Sequence, residues 1–101
     1  MSKFGELIDA QVPVLLNFFA TWDDESELIH SVLKDVSAAM GDQAKIIQID
    51  FDKNQELTDA LKVKTLPTYI IYLNSEMKWR KTGFIEANVL VAKINEVKEI
   101  D

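Results

Sequence analysis

The stretch VLLNFFATW, residues 14–22, decides the fold of this chain. Within residues 13–20 a single polar residue, Asn17, interrupts a run of apolar side chains that is typical of a strand covered on both faces, as in the middle of a parallel sheet. The chain continues with DDES, residues 23–26, and an amphipathic pattern extends over residues 24–40. The sequence therefore predicts a buried strand that leads directly into a long helix, with four polar residues at the junction.

Apolar runs alternate with helical patterns along the rest of the chain. Helices are predicted over residues 3–10, 24–40, 54–62 and 86–98, and strands over residues 13–20, 44–51, 68–73 and 77–83. Asn74 and Ser75 form the turn between the last two strands, Gly41 ends the second helix, and Asn54 is expected to cap the third. Two strand–helix–strand crossovers followed by a hairpin predict an α/β fold, with a mixed sheet of about four strands flanked by helices.

Length, charge and cysteine content limit the possible functions. The 101 residues fit a single domain, and eleven basic against seventeen acidic residues leave a net charge of −6. This charge repels phosphate backbones and anionic lipids, so we expect neither nucleic acid nor a membrane as a partner. The first residues lack the pattern of a signal peptide, which predicts a cytoplasmic location. The chain contains no cysteine, and we predict neither a metal nor a cofactor.

Four segments, in order and spacing, resemble the thioredoxin family: residues 14–22, IDFDKN (49–54), VKTLPT (63–68) and YIIYLNSE (69–76). The resemblance covers about residues 12–97 and implies the thioredoxin fold, with a cis bond before Pro67. The extra N-terminal edge strand of the family is missing, because only a short helical pattern precedes Pro13. The edge of the strand over residues 44–51 is therefore expected to be open, in a monomer or in a weak edge-to-edge homodimer.

The resemblance implies thiol chemistry that these residues cannot perform. Asp23 and Ser26 hold the positions of the two family cysteines, one of which attacks a disulfide while the other resolves the intermediate. Asn17 stands where the family commonly keeps a buried aspartate as proton acceptor, and Gln48 stands where many members place its lysine partner. Disulfide exchange by the family mechanism is therefore excluded, and no catalytic residue is predicted.

Four acidic residues surround the start of the second helix: Asp23, Asp24, Glu25 and Glu27. Helix capping is the favoured interpretation: Asp23 or Asp24 is expected to accept from the first free N–H groups, and Asp24 and Glu27 also fit a capping box. An acidic docking patch for a basic partner is an alternative. A metal site of Asp23, Glu27 and His30, or a hydrolase triad of Asp23, Ser26 and His30, is less favoured, because neither further ligands nor an oxyanion hole is evident.

The resemblance implies that five residues surround the former active site: Trp22, Leu66, Pro67, Gly83 and Phe84. In the family, the residue before the cis-proline offers backbone hydrogen bonds to an extended substrate chain, and Leu66 holds this place. We therefore predict a redox-inactive module that binds a protein or an extended peptide, as an adaptor or holdase. The alternatives are a family member with residual or non-thiol activity in cell redox homeostasis, and a domain with a structural role in a larger assembly.

Overall fold

The computed structural model describes residues 3–100, and the side chains of residues 3–99. Its elements are α1 (Lys3–Ile8), β1 (Val14–Phe19), α2 (Ser26–Met40), a 3-10 turn (Gly41–Gln43), β2 (Lys45–Asp50), α3 (Gln55–Ala60), β3 (Thr68–Leu73), β4 (Glu76–Thr82) and α4 (Ala87–Ile100). The predicted helices and strands are all present, with boundaries moved by a few residues. None of the helices in the described range is long and apolar enough to cross a membrane.

The four strands form one mixed sheet in the order β2-β1-β3-β4. β1 is parallel to β2 and antiparallel to β3, and β3 is antiparallel to β4. The central strands β1 and β3 are buried along almost their whole length, because helices cover both faces of the sheet. The predicted α/β architecture is therefore confirmed.

Two hydrophobic clusters lie on opposite faces of the sheet. On one face, α2 and α4 cover the sheet, and Leu15 and Ile71 pack with Ile29 and Leu90. On the other face, Leu16, Phe18 and Ile70 pack with Ile8 and Val63, and α1 and α3 add partly buried apolar side chains. The buried apolar residues of β1 and β3 therefore contribute to one cluster or the other, which holds the strand ends in a fixed arrangement.

β2 lies at an edge of the sheet, and no strand within residues 3–100 pairs with its outer side. The Lys45 N–H donates to the carbonyl of Pro13, 2.9 Å away, on the side of β1. Backbone groups alternate in direction along a strand, so those of Ile46 and Gln48 point outward. β2 therefore has the open edge that the short N-terminal segment predicted.

The helix ends agree with the prediction at Gly41 but not at Asn54. Gly41 ends α2 with a φ of 56°, and its N–H donates to the Ser37 carbonyl, an ending that glycine adopts at little cost. Asn54 occupies the N-cap position of α3, but its side chain makes no capping bond. The predicted cap is wrong, because the Asn54 amide instead donates to the Asp50 carbonyl, 2.9 Å away, and closes the preceding turn.

Candidate functional site

Three segments of the chain meet at one end of the sheet. Phe18 near the end of β1 pairs with Thr68 at the start of β3, and Thr68 pairs with Thr82 at the end of β4. The segment after β1, the loop before β3 and the segment after β4 are therefore neighbours. They carry the five residues predicted around the former active site, which we call the groove: Trp22, Leu66, Pro67, Gly83 and Phe84.

Hydrogen bonds hold the loop before β3 in place. The Leu66–Pro67 peptide bond is cis. The Gly83 N–H donates to the Pro67 carbonyl, 2.9 Å away, and Gly83 has a φ of 93°, which residues with a side chain rarely adopt. The Thr68 hydroxyl donates to the Thr65 carbonyl, 2.5 Å away. These bonds tie the loop to the end of β4 and so fix the position of Leu66.

The backbone of Leu66 is unpaired. Among the residues that the structure describes, none bonds to its N–H or to its C=O. Its side chain is half-buried against the cluster that contains Val63, so the residue itself is well anchored. An anchored residue whose N–H and C=O have no partner can donate one hydrogen bond to an added strand and accept another from it.

Apolar side chains flank this peptide group. The Trp22 side chain is 67% exposed and that of Phe84 is 39% exposed. The Trp22 indole N–H donates to the Asp52 carboxylate, 2.7 Å away, which ties the ring to the loop between β2 and α3. Leu28, in the first turn of α2, is also exposed. Exposed apolar side chains of this size are able to contact a partner.

The turn before α2 differs from the predicted capping arrangement. α2 begins at Ser26, its N-cap residue is Glu25, and no side chain caps it. The predicted capping box of Asp24 and Glu27 is therefore wrong. The Asp23 carboxylate instead accepts the Glu25 N–H at 3.0 Å, and the Asp23 carbonyl accepts the Ser26 N–H at 3.0 Å. Asp23 thus stabilises the turn that joins β1 to α2, as aspartate does through its own carboxylate in many turns.

A chain of polar side chains runs from the surface beside α2 into the core. Asn17 is fully buried, and its Oδ1 accepts a hydrogen bond from Gln48 Nε2 at 3.4 Å. The same amide nitrogen lies 2.5 Å from Nδ1 of His30, whose ring packs edge-on against Phe19. Two neutral amides thus bond to each other where the family commonly places an acid and a lysine, which lowers the cost of burial. The sequence did not predict the contact between His30 and Gln48, because the spacing of His30 indicates only a helix residue at the boundary of the core.

Tyr69 places a further polar group in this interior. It pairs with Asn17 across β1 and β3, it is completely buried, and its hydroxyl has no hydrogen-bond partner among the described residues. Burial raises the pKa of Tyr69 to about 12; the nearby Ile85 backbone, outside hydrogen-bonding geometry, opposes the rise in part, and the charge of Glu25 adds to it. The interior beneath α2 is therefore polar but uncharged at neutral pH. The apolar residues around Tyr69 in the sequence did not indicate that its hydroxyl would be buried without a hydrogen-bond partner.

The two less favoured arrangements at α2 are not formed. Within the described part of the chain, no group of three or more His, Asp or Glu side chains is placed to hold a metal ion. His30 contacts Gln48 and not Ser26, and the Asp23 carboxylate bonds to the backbone. Neither the metal site nor the hydrolase triad therefore has its geometry.

A cavity of about 480 Å³ lies beside the groove. Phe4 and Leu7 of α1 and Leu57 of α3 line it, and Asp52, which bonds to Trp22, contributes to its wall. None of the five groove residues lines this cavity.

Comparison with known proteins identifies the family. Residues 1–96 match the Thioredoxin family model. Thioredoxin Y, chloroplastic, of Oryza sativa subsp. japonica is 32% identical over 100 residues, which are 98% of this chain but only 60% of that protein's length. Thioredoxin of Rickettsia bellii (strain RML369-C) is 26% identical over 90 residues, 89% of this chain and 86% of that one.

A solved structure of chloroplastic thioredoxin z superposes with a TM-score of 0.83 at 25% identity, covering 92% of this chain and 84% of that chain. The fold agrees with that of this solved structure. The absence of cysteine from all 101 residues sets the chain apart from the thiol chemistry that the family pattern implies. The chain belongs to the thioredoxin family, as a member that lacks both active-site cysteines.

Proposed function

We propose that this chain is a redox-inactive binding module that holds an extended protein segment in the groove, as an adaptor or holdase. The observation that carries the proposal is the unpaired N–H and C=O of Leu66. Both groups are held in place by the bonds of the Pro67 loop to Gly83. A segment that pairs with them forms main-chain hydrogen bonds, while Trp22 and Phe84 contact its side chains.

The chemistry of the site supports binding without turnover. The Asp23 carboxylate bonds to the Glu25 N–H, and Ser26 is buried. Neither side chain supplies a sulfur nucleophile, and the buried Asn17 carries no charge to accept a proton. A segment bound in the groove therefore leaves by dissociation, because no covalent step follows binding.

The proposed partner is a protein segment, and not nucleic acid or lipid, because the net charge of −6 opposes both. We propose further that the chain itself is a monomer, since the open edge of β2 carries the polar side chains Lys45 and Gln48. Light scattering at high concentration should give a mass near 11.5 kDa. A mass of twice that value would instead indicate the edge-to-edge homodimer.

An NMR titration tests the groove directly. The probe is reduced and alkylated α-lactalbumin, an unfolded chain that offers many apolar segments. We expect the amide of Leu66 to move strongly, because its N–H gains a hydrogen bond, and the Trp22 indole signal to move with it. A titration in which the probe leaves both signals unchanged would contradict the proposed function.

A matched pair of truncations distinguishes binding in the groove from nonspecific hydrophobic binding elsewhere on the surface. Phe84→Ala removes an apolar side chain that is 39% exposed in the groove, and Met77→Ala removes one that is 45% exposed at the other end of β4. We expect Phe84→Ala to weaken binding about fivefold to tenfold, the usual effect of losing one partly buried aromatic contact. Met77→Ala should leave the affinity unchanged, and equal losses in both variants would argue against a groove.

A further inference from the structure

We infer that the groove selects basic segments: its partner carries Lys or Arg next to the apolar side chain that occupies the groove. This inference rests on the proposed function and names the chemistry of its partner. It begins with the side of the groove formed by Trp22 and the turn before α2. Four of the six residues 22–27 are acidic, and we call them the acidic rim: Asp23, Asp24, Glu25 and Glu27.

The folded structure does not use the acidic rim for capping or for ion pairing. Among residues 3–99, no side chain caps α2, and Asp23 is the one rim residue whose carboxylate accepts a backbone hydrogen bond, from Glu25. Within the described part of the chain, the ion pairs lie in β4 and α4, and none involves a rim carboxylate. Asp24, Glu25 and Glu27 are exposed. Their negative charges are therefore concentrated beside an apolar surface and remain available to a partner's cations.

Trp22 connects the acidic rim to the groove. Its side chain is 67% exposed, its indole N–H donates to the Asp52 carboxylate at the edge of the ring, and Asp23 follows it directly in the chain. The face of an indole attracts ammonium and guanidinium groups, and neighbouring carboxylates add to this attraction. An Arg side chain, with an apolar stem and a planar charged head, fits such a surface particularly well.

The opposite side of the groove has a different charge. Lys64 lies two residues before Leu66 in the loop before β3, and it is exposed. On the Trp22 side Lys53 follows Asp52, and on the β4 side Glu86 lies two residues after Phe84. Four acidic residues are therefore concentrated at Trp22 and the start of α2, whereas the loop before β3 carries a lysine. We expect the cation of the partner to lie on the α2 side of the groove.

Three nonapeptides with the sequence Ser-X-Ala-Val-Leu-Val-Ala-X-Ser, with X as Arg, Gln or Glu, provide the test. Binding is followed by the fluorescence of Trp22 in a Trp79→Phe background, which removes the second tryptophan. At about 50 mM salt we expect the Arg peptide to bind about tenfold more tightly than the Glu peptide, since each exposed charge contact contributes modestly. At about 0.5 M salt the ratio should fall below about twofold, because screening shortens the range of these interactions.

Two variants with equal net charge test whether the preference for the Arg peptide comes from the acidic rim. Asp23→Asn, Asp24→Asn, Glu25→Gln and Glu27→Gln together neutralise the acidic rim and should abolish the preference while the Gln peptide binds as before. The matched control neutralises four exposed acids outside the groove: Asp9→Asn, Asp35→Asn, Asp42→Asn and Glu99→Gln. It should keep the preference. If the control loses the preference to the same extent, the net charge is responsible and the inference is overturned.

The outcomes distinguish this inference from the proposed function. If the three peptides bind the Trp79→Phe chain equally well at low salt, the groove binds segments but does not select basic ones, and only the inference fails. If none of the three binds, both the inference and the proposed function fail. The salt dependence is measured in the chain that carries only Trp79→Phe, so the result does not depend on whether the fourfold variant folds.

Discussion

The turn before α2 and the loop before β3 border the same groove, yet they depart from the family pattern to very different degrees. At α2, Asp23 and Ser26 replace both thiols, and Asn17 replaces the buried acid. At β3, Pro67 remains and is bonded to Gly83. The thiols of the family perform chemistry, whereas the loop also holds β3 against the end of β4. Replacing the thiols therefore leaves the sheet intact, whereas replacing the residues of the loop before β3 disturbs it.

The largest expected effect comes from restoring the thiols. Asp23→Cys with Ser26→Cys places two sulfurs three residues apart at the start of α2, where the helix dipole favours a thiolate. Reduction of insulin by dithiothreitol should then accelerate, whereas the unchanged chain should not exceed the uncatalysed rate. The single variant Asp23→Cys is the control and should show little acceleration. A folded double variant without activity would mean that the groove no longer admits a disulfide.

Adding Asn17→Asp to the two cysteines tests whether a buried carboxylate at this position assists the thiol chemistry. Asn17 is fully buried below α2, where the family commonly places its proton acceptor. We expect an increase of about a hundredfold in the rate at which the mixed disulfide is resolved, the lower end of what a positioned general base contributes. Single-turnover kinetics measure this rate. No increase would show that the Gln48 and Tyr69 surroundings hold the new carboxyl in an unproductive state.

Asn17→Asp alone should reduce stability by about 2–3 kcal/mol at pH 7, because a buried carboxylate lacks a cationic partner. Burial raises the pKa of such a carboxyl, so the loss should shrink as the pH falls towards the ordinary aspartate pKa and the group binds a proton in the folded state. Urea titrations at pH 7 and pH 5 measure the difference. Asn95→Asp, at an exposed position of α4, should change stability little at either pH.

Two glycine variants compare the groove with a distant helix end. Gly83 and Gly41 both have a positive φ, 93° and 56°, and an added Cβ meets no atom within 4 Å at either position. Gly83→Ala and Gly41→Ala should therefore each cost about 1–2 kcal/mol through backbone strain alone, as measured by urea titration. Only Gly83→Ala should also weaken peptide binding, because Gly83 holds the Pro67 loop. Equal effects on binding would contradict this role of the loop.

The smallest expected effect concerns the buried hydroxyl of Tyr69. Tyr69→Phe removes a group without a hydrogen-bond partner, so stability at pH 7 should stay the same or rise by up to about 1 kcal/mol. The pKa of Tyr69 is raised to about 12 in the folded state, whereas the unfolded chain ionises near 10. The unfolded state therefore loses its proton first, and stability should fall between pH 10 and about 12.

Alkaline urea titrations measure this fall, and Tyr69→Phe should reduce it. The remaining fall comes in part from Tyr72, whose pKa burial also raises. Tyr72→Phe is therefore the matched control and should leave the contribution of Tyr69 in place. An unchanged alkaline fall in Tyr69→Phe would contradict the assignment of the raised pKa to this residue.

The fold followed closely from patterns that are local in the chain. The apolar run of residues 14–22, the amphipathic helix after it and the turn at Asn74 and Ser75 are each set by neighbours in sequence. The site was harder to predict where a side chain had a choice of partners. Asp24 and Glu27 satisfied the spacing of a capping box, but the chain enters α2 through a turn closed by Asp23, so the helix starts too late for the box.

Other features depended on contacts between distant segments. Gln48 bonds to both Asn17 and His30, and Arg80 of β4 donates to the carbonyls of Leu61 and Lys62 beyond the end of α3. No spacing rule links these positions, because they become neighbours only when the strands pair. The same reason explains why the sequence did not indicate an unpaired hydroxyl at Tyr69.

The sequence by itself determined the family, the order of the elements and the loss of thiol chemistry. Apolar periodicity and residue identity suffice for these, since a chain without sulfur has no disulfide exchange of its own. The pairing of polar groups depends on the folded structure. Among the described residues, none bonds to the backbone of Leu66 or to the carboxylates of Asp24, Glu25 and Glu27, whereas Asn17 has a neutral partner. Pairing depends on which segments the sheet brings together, and that is a property of the folded chain.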